Sequence, residues 1–131
     1  MSAENIKIVR DYFAAVANGD IAKLPELMSE ALIWHQPGGS DLSGTYNGRD
    51  AVFGLIGQFM ERSQGTFKFD SIGSILANGD LVAVTLKFSG STANRSMAMA
   101  GIDVLRIEGG KIKEVWLFSE DQAAEDAFWQ R

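Results

Sequence analysis

The stretch RSMAMAGIDVLRIE, residues 95–108, is apolar along most of its length and carries an aspartate in the middle. In an extended chain alternate residues share a face. One row is then Met97, Met99, Gly101, Asp103, Leu105 and Ile107, and the other is Ala98, Ala100, Ile102, Val104 and Arg106. Asp103 stands alone in an apolar row. A carboxyl desolvated in this way is pushed toward its neutral form, and a neutral carboxylic acid can donate a hydrogen bond to an oxyanion. Two other arrangements fit the same letters: burial of the opposite row, or an ion pair of Asp103 with Arg106 or Arg49. The second chemically suggestive stretch is IWHQPGG, residues 33–39, which holds the sole histidine. Histidine suits proton transfer near neutral pH. Strict alternation, however, sets Trp34 and Gln36 on one face and His35 on the other. Pro37-Gly38-Gly39 ends the strand, and a bulge there could re-aim either side chain.

The elements that must position these residues follow from periodicity. Val9, Tyr12, Phe13 and Val16 share a helical face, and Asn18-Gly19 stops that helix. Asp20 opens a short second helix, IAKLPELM, in which Pro25 is tolerable near the start. A strand at about 31–36 follows, then a Gly-, Ser- and Asp-rich stretch from Pro37 to Gly48 that reads as an ordered loop. Val52, Leu55, Ile56, Phe59 and Met60 form the apolar stripe of a third helix. From Thr66 the period changes to two, with turns at Asn78-Gly79 and Gly109-Gly110 separating consecutive strands. SEDQ at 119–122 opens a short last helix ending in Phe128-Trp129. The order ααβαββββα gives an α+β fold, three N-terminal helices packed on a curved antiparallel sheet with a short C-terminal helix, in a single domain spanning residues 1–131.

Composition narrows the function. The chain has 131 residues, 46% hydrophobic and 22% charged, the balance of an ordinary globular protein. A net charge of -5 with no basic cluster disfavours nucleic acid as a partner. No apolar run approaches the roughly 20 residues of a membrane helix, and the first residues lack a secretory pattern, so the expected location is cytoplasmic, away from membranes. With no cysteine and one histidine, a Cys- or multi-His-ligated metal is not expected. Gly54 and Gly57 belong to a helix, and Gly38-Gly39 lacks the lysine of a phosphate loop, so no cofactor is expected.

Read together, VRDYFAAVANGDIAKLPELMSEALIWHQPG, LSGTYNGRDAV, AGIDVLRIEGGKIKEVWLFSE and EDQAAEDAFW resemble the ketosteroid isomerase and SnoaL-like branch of the NTF2-like superfamily. The likeness covers nearly the whole chain. In ketosteroid isomerases a tyrosine of the first helix and a protonated aspartic acid on a late strand form the oxyanion hole. The resemblance puts Tyr12 and Asp103 in those roles. It also implies a proton-shuttling aspartate before the proline that ends the first strand, where this chain has Gln36. A neutral amide cannot accept that proton. His35 or Gln36 would then orient the substrate or pass a proton through water.

The resemblance further implies a cone with a hydrophobic pocket at its open end. Projecting the alternation, the expected lining is Trp34, Gln36, Phe59, Val84, Phe88, Met99, Asp103, Trp116 and Phe118; plain core packing is the other reading for each aromatic and methionine. Apolar residues on both faces of the last strand, Trp116 and Phe118 on one and Val115 and Leu117 on the other, fit a second buried surface and a homodimer. Two functions remain open. One is a cofactor-free isomerase, cyclase or lyase acting on a small hydrophobic carbonyl compound. The other is a non-catalytic ligand-binding or accessory domain, since fold does not imply activity.

Overall fold

Helix α1 (Ser2–Asn18) buries Val9, Tyr12, Phe13 and Ala15 along one face of the computed structural model, which describes residues 2–131. It ends where the letters NGD place the stop. The Gly19 amide bonds to the Val16 carbonyl at 3.2 Å and the Asp20 amide to the Ala15 carbonyl at 2.9 Å, so carbonyls left over by the last turn are satisfied. The segment expected as a short second helix is a 3-10 turn, Ile21–Lys23, followed by α2 (Leu24–Leu27), with Pro25 in the first turn. Asp20 precedes that turn, but its side chain makes no capping hydrogen bond.

The remaining elements are β1 (Met28–Gln36), β2 (Gly44–Asn47), α3 (Arg49–Arg62), β3 (Lys68–Asn78), β4 (Leu81–Ser91), β5 (Ser96–Glu108), β6 (Lys111–Ser119) and α4 (Gln122–Trp129). The six strands form one sheet in the order β2-β1-β6-β5-β4-β3. Hairpins join β3 to β4 and β5 to β6. The second of these turns on Gly109 and Gly110, with φ of +60° and +77°, values that side chains rarely tolerate and that a tight hairpin needs at both central positions.

Three expectations need correction here. The sheet is mixed, because β1 pairs with β6 in parallel while every other pair is antiparallel. Alternation of apolar residues fixes which face is buried but says nothing of strand direction. The parallel pair joins a strand near the start of the chain to one near its end, so no hairpin constrains it. The helices are not grouped ahead of the strands either, since α3 follows both β1 and β2. Finally, β2 lies inside the stretch expected as loop. Its residues are polar because it is an edge strand, held by its backbone to residues 33–36.

The helices α1 and α3 lie against β3 and β1 respectively. Val9, Leu32, Val52, Val82, Val84, Leu105 and Ile112 are fully enclosed between helices and sheet. Each such aliphatic side chain contributes roughly 1.5–3 kcal/mol through burial. Helix α4 closes one end of this core with Phe128 and Trp129. Its N-terminus is capped by Asp121, whose side chain accepts from the Ala124 amide at 3.1 Å. Two arginines hold the other end, where the last carbonyls have no helical partner. Arg62 donates to the Trp129 carbonyl at 2.9 Å, and Arg95 donates to the carbonyls of Phe128 and Gln130.

Candidate functional site

The register of the sheet sets Tyr12's counterpart in place. Val84 lies opposite Asp103, and Asp103 opposite Leu117. On the far side, β1 runs beside β6 with Trp34 next to Val115 and His35 next to Trp116. Gln36, one step further, therefore reaches the level of Leu117. Val84, Asp103, Leu117 and Gln36 thus cross the sheet as one row on the face that meets the helices. The neighbouring row, Val82, Leu105, Val115 and Trp34, is buried throughout. Asp103 belongs to the buried face, as the apolar row in β5 indicates.

Neither arginine neutralises it. Arg106 pairs with Glu108 at 2.8 Å and Glu114 at 3.2 Å, and Arg49 donates to the carbonyls of Pro25 and Met28. Burial, and secondarily the nearby Glu125 charge, pushes the Asp103 carboxyl up to about 8. Burial likewise raises the Tyr12 hydroxyl, with the proximity of Asp103 adding to it. At neutral pH both are O–H donors. Tyr12 and Asp103 are only 3% and 6% exposed, yet neither hydrogen-bonds to another side chain or to backbone among the described residues. No buried side-chain oxygen or nitrogen there is both sealed and unpartnered. The hydroxyl of Tyr12 and the carboxyl of Asp103 are therefore open to a water molecule or a ligand atom.

Two other buried polar side chains, one on β1 and one on α4, have hydrogen-bond partners. Gln36 is buried, and its Oε1 accepts from the Trp34 indole at 3.1 Å, which turns its amide nitrogen away as a third donor. Glu125 of α4, also buried, accepts from the Ser119 hydroxyl at 2.6 Å, from Gln122 Nε2 at 3.1 Å and from the Trp129 indole at 3.1 Å. Ser119 sits opposite Gly101, two residues along β5 from Asp103. Tyr12 and Asp103 are thus buried O–H donors on the inner side of the sheet, a pairing of groups that suits a ligand oxygen carrying negative charge.

The SnoaL-like domain family matches residues 9–115. That match covers most of the chain. The chain belongs to the SnoaL-like domain family. A Xanthomonas campestris protein of unknown function with a cystatin-like fold is 47% identical and superimposes with a TM-score of 0.94, over 97% of this chain and 98% of its own. An NTF2-like protein from Burkholderia xenovorans is 24% identical, with a TM-score of 0.78 over 95% and 94% of the two chains. IdmH, a candidate polyketide cyclase from Streptomyces antibioticus, is 21% identical, with a TM-score of 0.75 over 95% and 96%. The last two share the NTF2-like fold.

In this SnoaL-like chain the expected site residues divide between the two faces of the sheet. Tyr12, Trp34, Gln36, Phe59, Val84, Phe88, Met99 and Asp103 are all buried. His35, Trp116 and Phe118 are not with them. His35 stacks on Trp116 with ring centroids 5.5 Å apart, and its Nε2 lies 2.6 Å from Glu114 Oε2. That contact and the Arg106 pair hold the Glu114 carboxyl below its usual range. No bulge re-aims His35, because β1 stays paired through Gln36 on its β2 edge. Phe118 is 58% exposed. The error for Trp116 and Phe118 is one of parity: both rows of β6 are apolar, and a register shift after Arg106 puts Val115 and Leu117 on the inner face.

The open concavity on that outer face is a groove of about 490 Å³, lined by Thr85, Lys87, Ala100, Ile102 and Phe118 among others. It lies on the far side of the sheet from Tyr12 and Asp103. The residues that sequence reasoning missed are Glu125, Ser119 and Gln122. A usable signal existed: Glu125 and Trp129 are four apart, so they share one helix face, and a glutamate on a face with an indole donor can be drawn inside.

Proposed function

We propose that this SnoaL-like protein binds a small hydrophobic carbonyl compound and stabilises its enolate with Tyr12 and Asp103, as a cofactor-free isomerase or cyclase. The observation that carries the reading is the pair of buried, unpartnered O–H donors, both held neutral. Such donors strengthen as negative charge develops on a ligand oxygen in a water-poor site, which is how charge stabilisation accelerates enolisation. Gln36 adds an N–H donor beside them. Because its amide cannot take a proton, the proton removed from carbon passes to a basic group of the substrate or to water. A shared fold with a candidate polyketide cyclase is compatible with this chemistry.

The test is a titration with apolar phenols, which present an enolate-like oxygen, comparing wild type with Tyr12→Phe and Asp103→Leu. Losing one donor to a charged oxygen costs about 1.5–3 kcal/mol, so each variant should bind at least roughly tenfold more weakly. Folded variants with unchanged affinity would remove these residues from the site. One observation favours a second reading, a binding domain without turnover: the position next to Pro37 is occupied by an amide. Binding that depends on both donors, with no solvent proton exchange into any bound ketone, would support it.

The same protein is proposed to act as a homodimer. Ile102 and Phe118 expose large apolar side chains on the outer sheet face, at 42% and 58%, beside the groove described above. A second copy of the chain would cover them. Sedimentation of wild type against Phe118→Lys tests this: the reading expects a dimer that the substitution dissociates, and a wild-type monomer contradicts it.

A further inference from the structure

We propose that Glu125 is a positioning residue for the oxyanion site: its carboxylate, fixed by Ser119, Gln122 and Trp129, keeps Asp103 in its hydrogen-bond-donating form. The inference deepens the enolate reading and rests on it for its functional meaning. The geometry comes from two elements that meet at the end of the sheet. Ser119 closes β6 opposite Gly101, and its hydroxyl reaches Glu125 Oε1 at 2.6 Å. Gln122 and Trp129, one turn to either side on α4, donate at 3.1 Å each.

Three donors converging on two oxygens match the acceptor-only carboxylate form of Glu125. An enclosed charge acts over a longer range than an exposed one. Ser119 lies opposite Gly101, and Asp103, the next residue of that inner row, is the ionisable side chain of β5 that Glu125 approaches. Two adjacent carboxyls cannot both ionise cheaply in such surroundings, and the one with hydrogen-bond donors keeps the charge. Asp103 has none and keeps its proton.

Beside Asp103 stand the apolar Val84 and Leu117, with Tyr12 of α1 and Glu125 of α4 the ionisable groups near it and the uncharged Gln36 one strand further along the row. On the opposite face Arg106 pairs with Glu114, and His35 meets the same Glu114. Facing Glu125 are Ser119, Gln122 and Trp129; the adjacent Asp126 turns outward to the Gly39 amide and Gln122. Removing the Glu125 charge leaves Asp103 buried but without a charged neighbour. Its ionisation range should then fall part of the way back, since burial is the larger cause of its displacement.

The experiment is a carboxyl-carbon NMR titration of ligand-free wild type and Glu125→Gln. The Asp103 midpoint is expected to move down in the variant, and to be largely restored in Glu125→Asp, which keeps the charge. An Asp103 midpoint unmoved by Glu125→Gln overturns the proposal. If Glu125→Gln fails to fold, Glu125→Ala is read in its place, and an Asp103 midpoint unmoved there is equally fatal. Affinity for a nitrophenol that stays ionised across the range should fall as Asp103 ionises, with its midpoint displaced downward in Glu125→Gln. Failure of wild type to bind that phenol counts against the enolate reading alone, because the NMR midpoints are obtained without ligand.

Discussion

Replacing Asp103 by asparagine removes its titration while keeping nearly the same shape, and the consequence can be worked out as a function of pH. An ordinary aspartic acid ionises near 3.8, whereas Asp103 in the folded chain does so at about 8. Between those values the folded protein holds a proton that the unfolded chain has released. Stability from this group is fully present below the unfolded value and is lost as pH rises toward the folded value, by about 1.4 kcal/mol per pH unit. Wild type should therefore lose roughly 3–4 kcal/mol relative to Asp103→Asn between about pH 5 and about pH 8. Asp11, Asp41 and Glu114, whose ionisation is displaced downward, oppose this trend only in more acidic solution. They are common to both proteins and cancel in the difference. Urea unfolding followed by tryptophan fluorescence gives the curve, since two of the three tryptophans, Trp34 and Trp129, hydrogen-bond within the site. A pH-independent difference between the two proteins would refute the claim that Asp103 is buried as a neutral acid.

Three other substitutions separate the inner face from its surroundings. His35→Ala should leave phenol affinity unchanged, because His35 lies on the outer face, and should lower stability by under about 1 kcal/mol for a partly exposed contact with Glu114; parallel titration and unfolding check both. Gly38→Ala should destabilise by about 2 kcal/mol or more. A Cβ there would stand 2.0 Å from Asp126 Oδ1, at a φ of +92°, and hydrogen exchange should show α4 loosened from the β1–β2 loop. Gln36→Asp keeps an acceptor for the Trp34 indole and supplies a base, so slow deuterium exchange into a bound ketosteroid is expected. Binding without any exchange would show that the carboxylate cannot reach the reacting carbon.

Much of this organisation was legible in the letters, for identifiable reasons. The apolar row around Asp103 predicts its burial because β5 alternates without interruption, and the NGD stop and the two-glycine hairpin are positions where few residue types serve. The inner face of β6 was not legible, because Trp116 and Val115 are both apolar and only the register shift after Arg106 decides between them. The parallel pairing of β1 with β6 depends on the path of the whole chain. Glu125 escaped notice since a glutamate in a short C-terminal helix ordinarily faces water. Its burial follows from three donors that come together only after α4 docks. The resemblance supplied Tyr12, whose position in α1 is otherwise that of a core residue.

The central claim is that Tyr12 and Asp103 stabilise an oxyanion, and the most direct measurement is the absorption spectrum of a bound chromogenic phenol. Its charged form absorbs at longer wavelength, so the protonation state of the bound molecule can be read without a binding model. At about one pH unit below the phenol's own pKa, most free molecules are neutral. The account predicts that wild type shifts the bound spectrum to the phenolate, and that Tyr12→Phe and Asp103→Leu each shift it back. A phenol that binds wild type and stays neutral would contradict it.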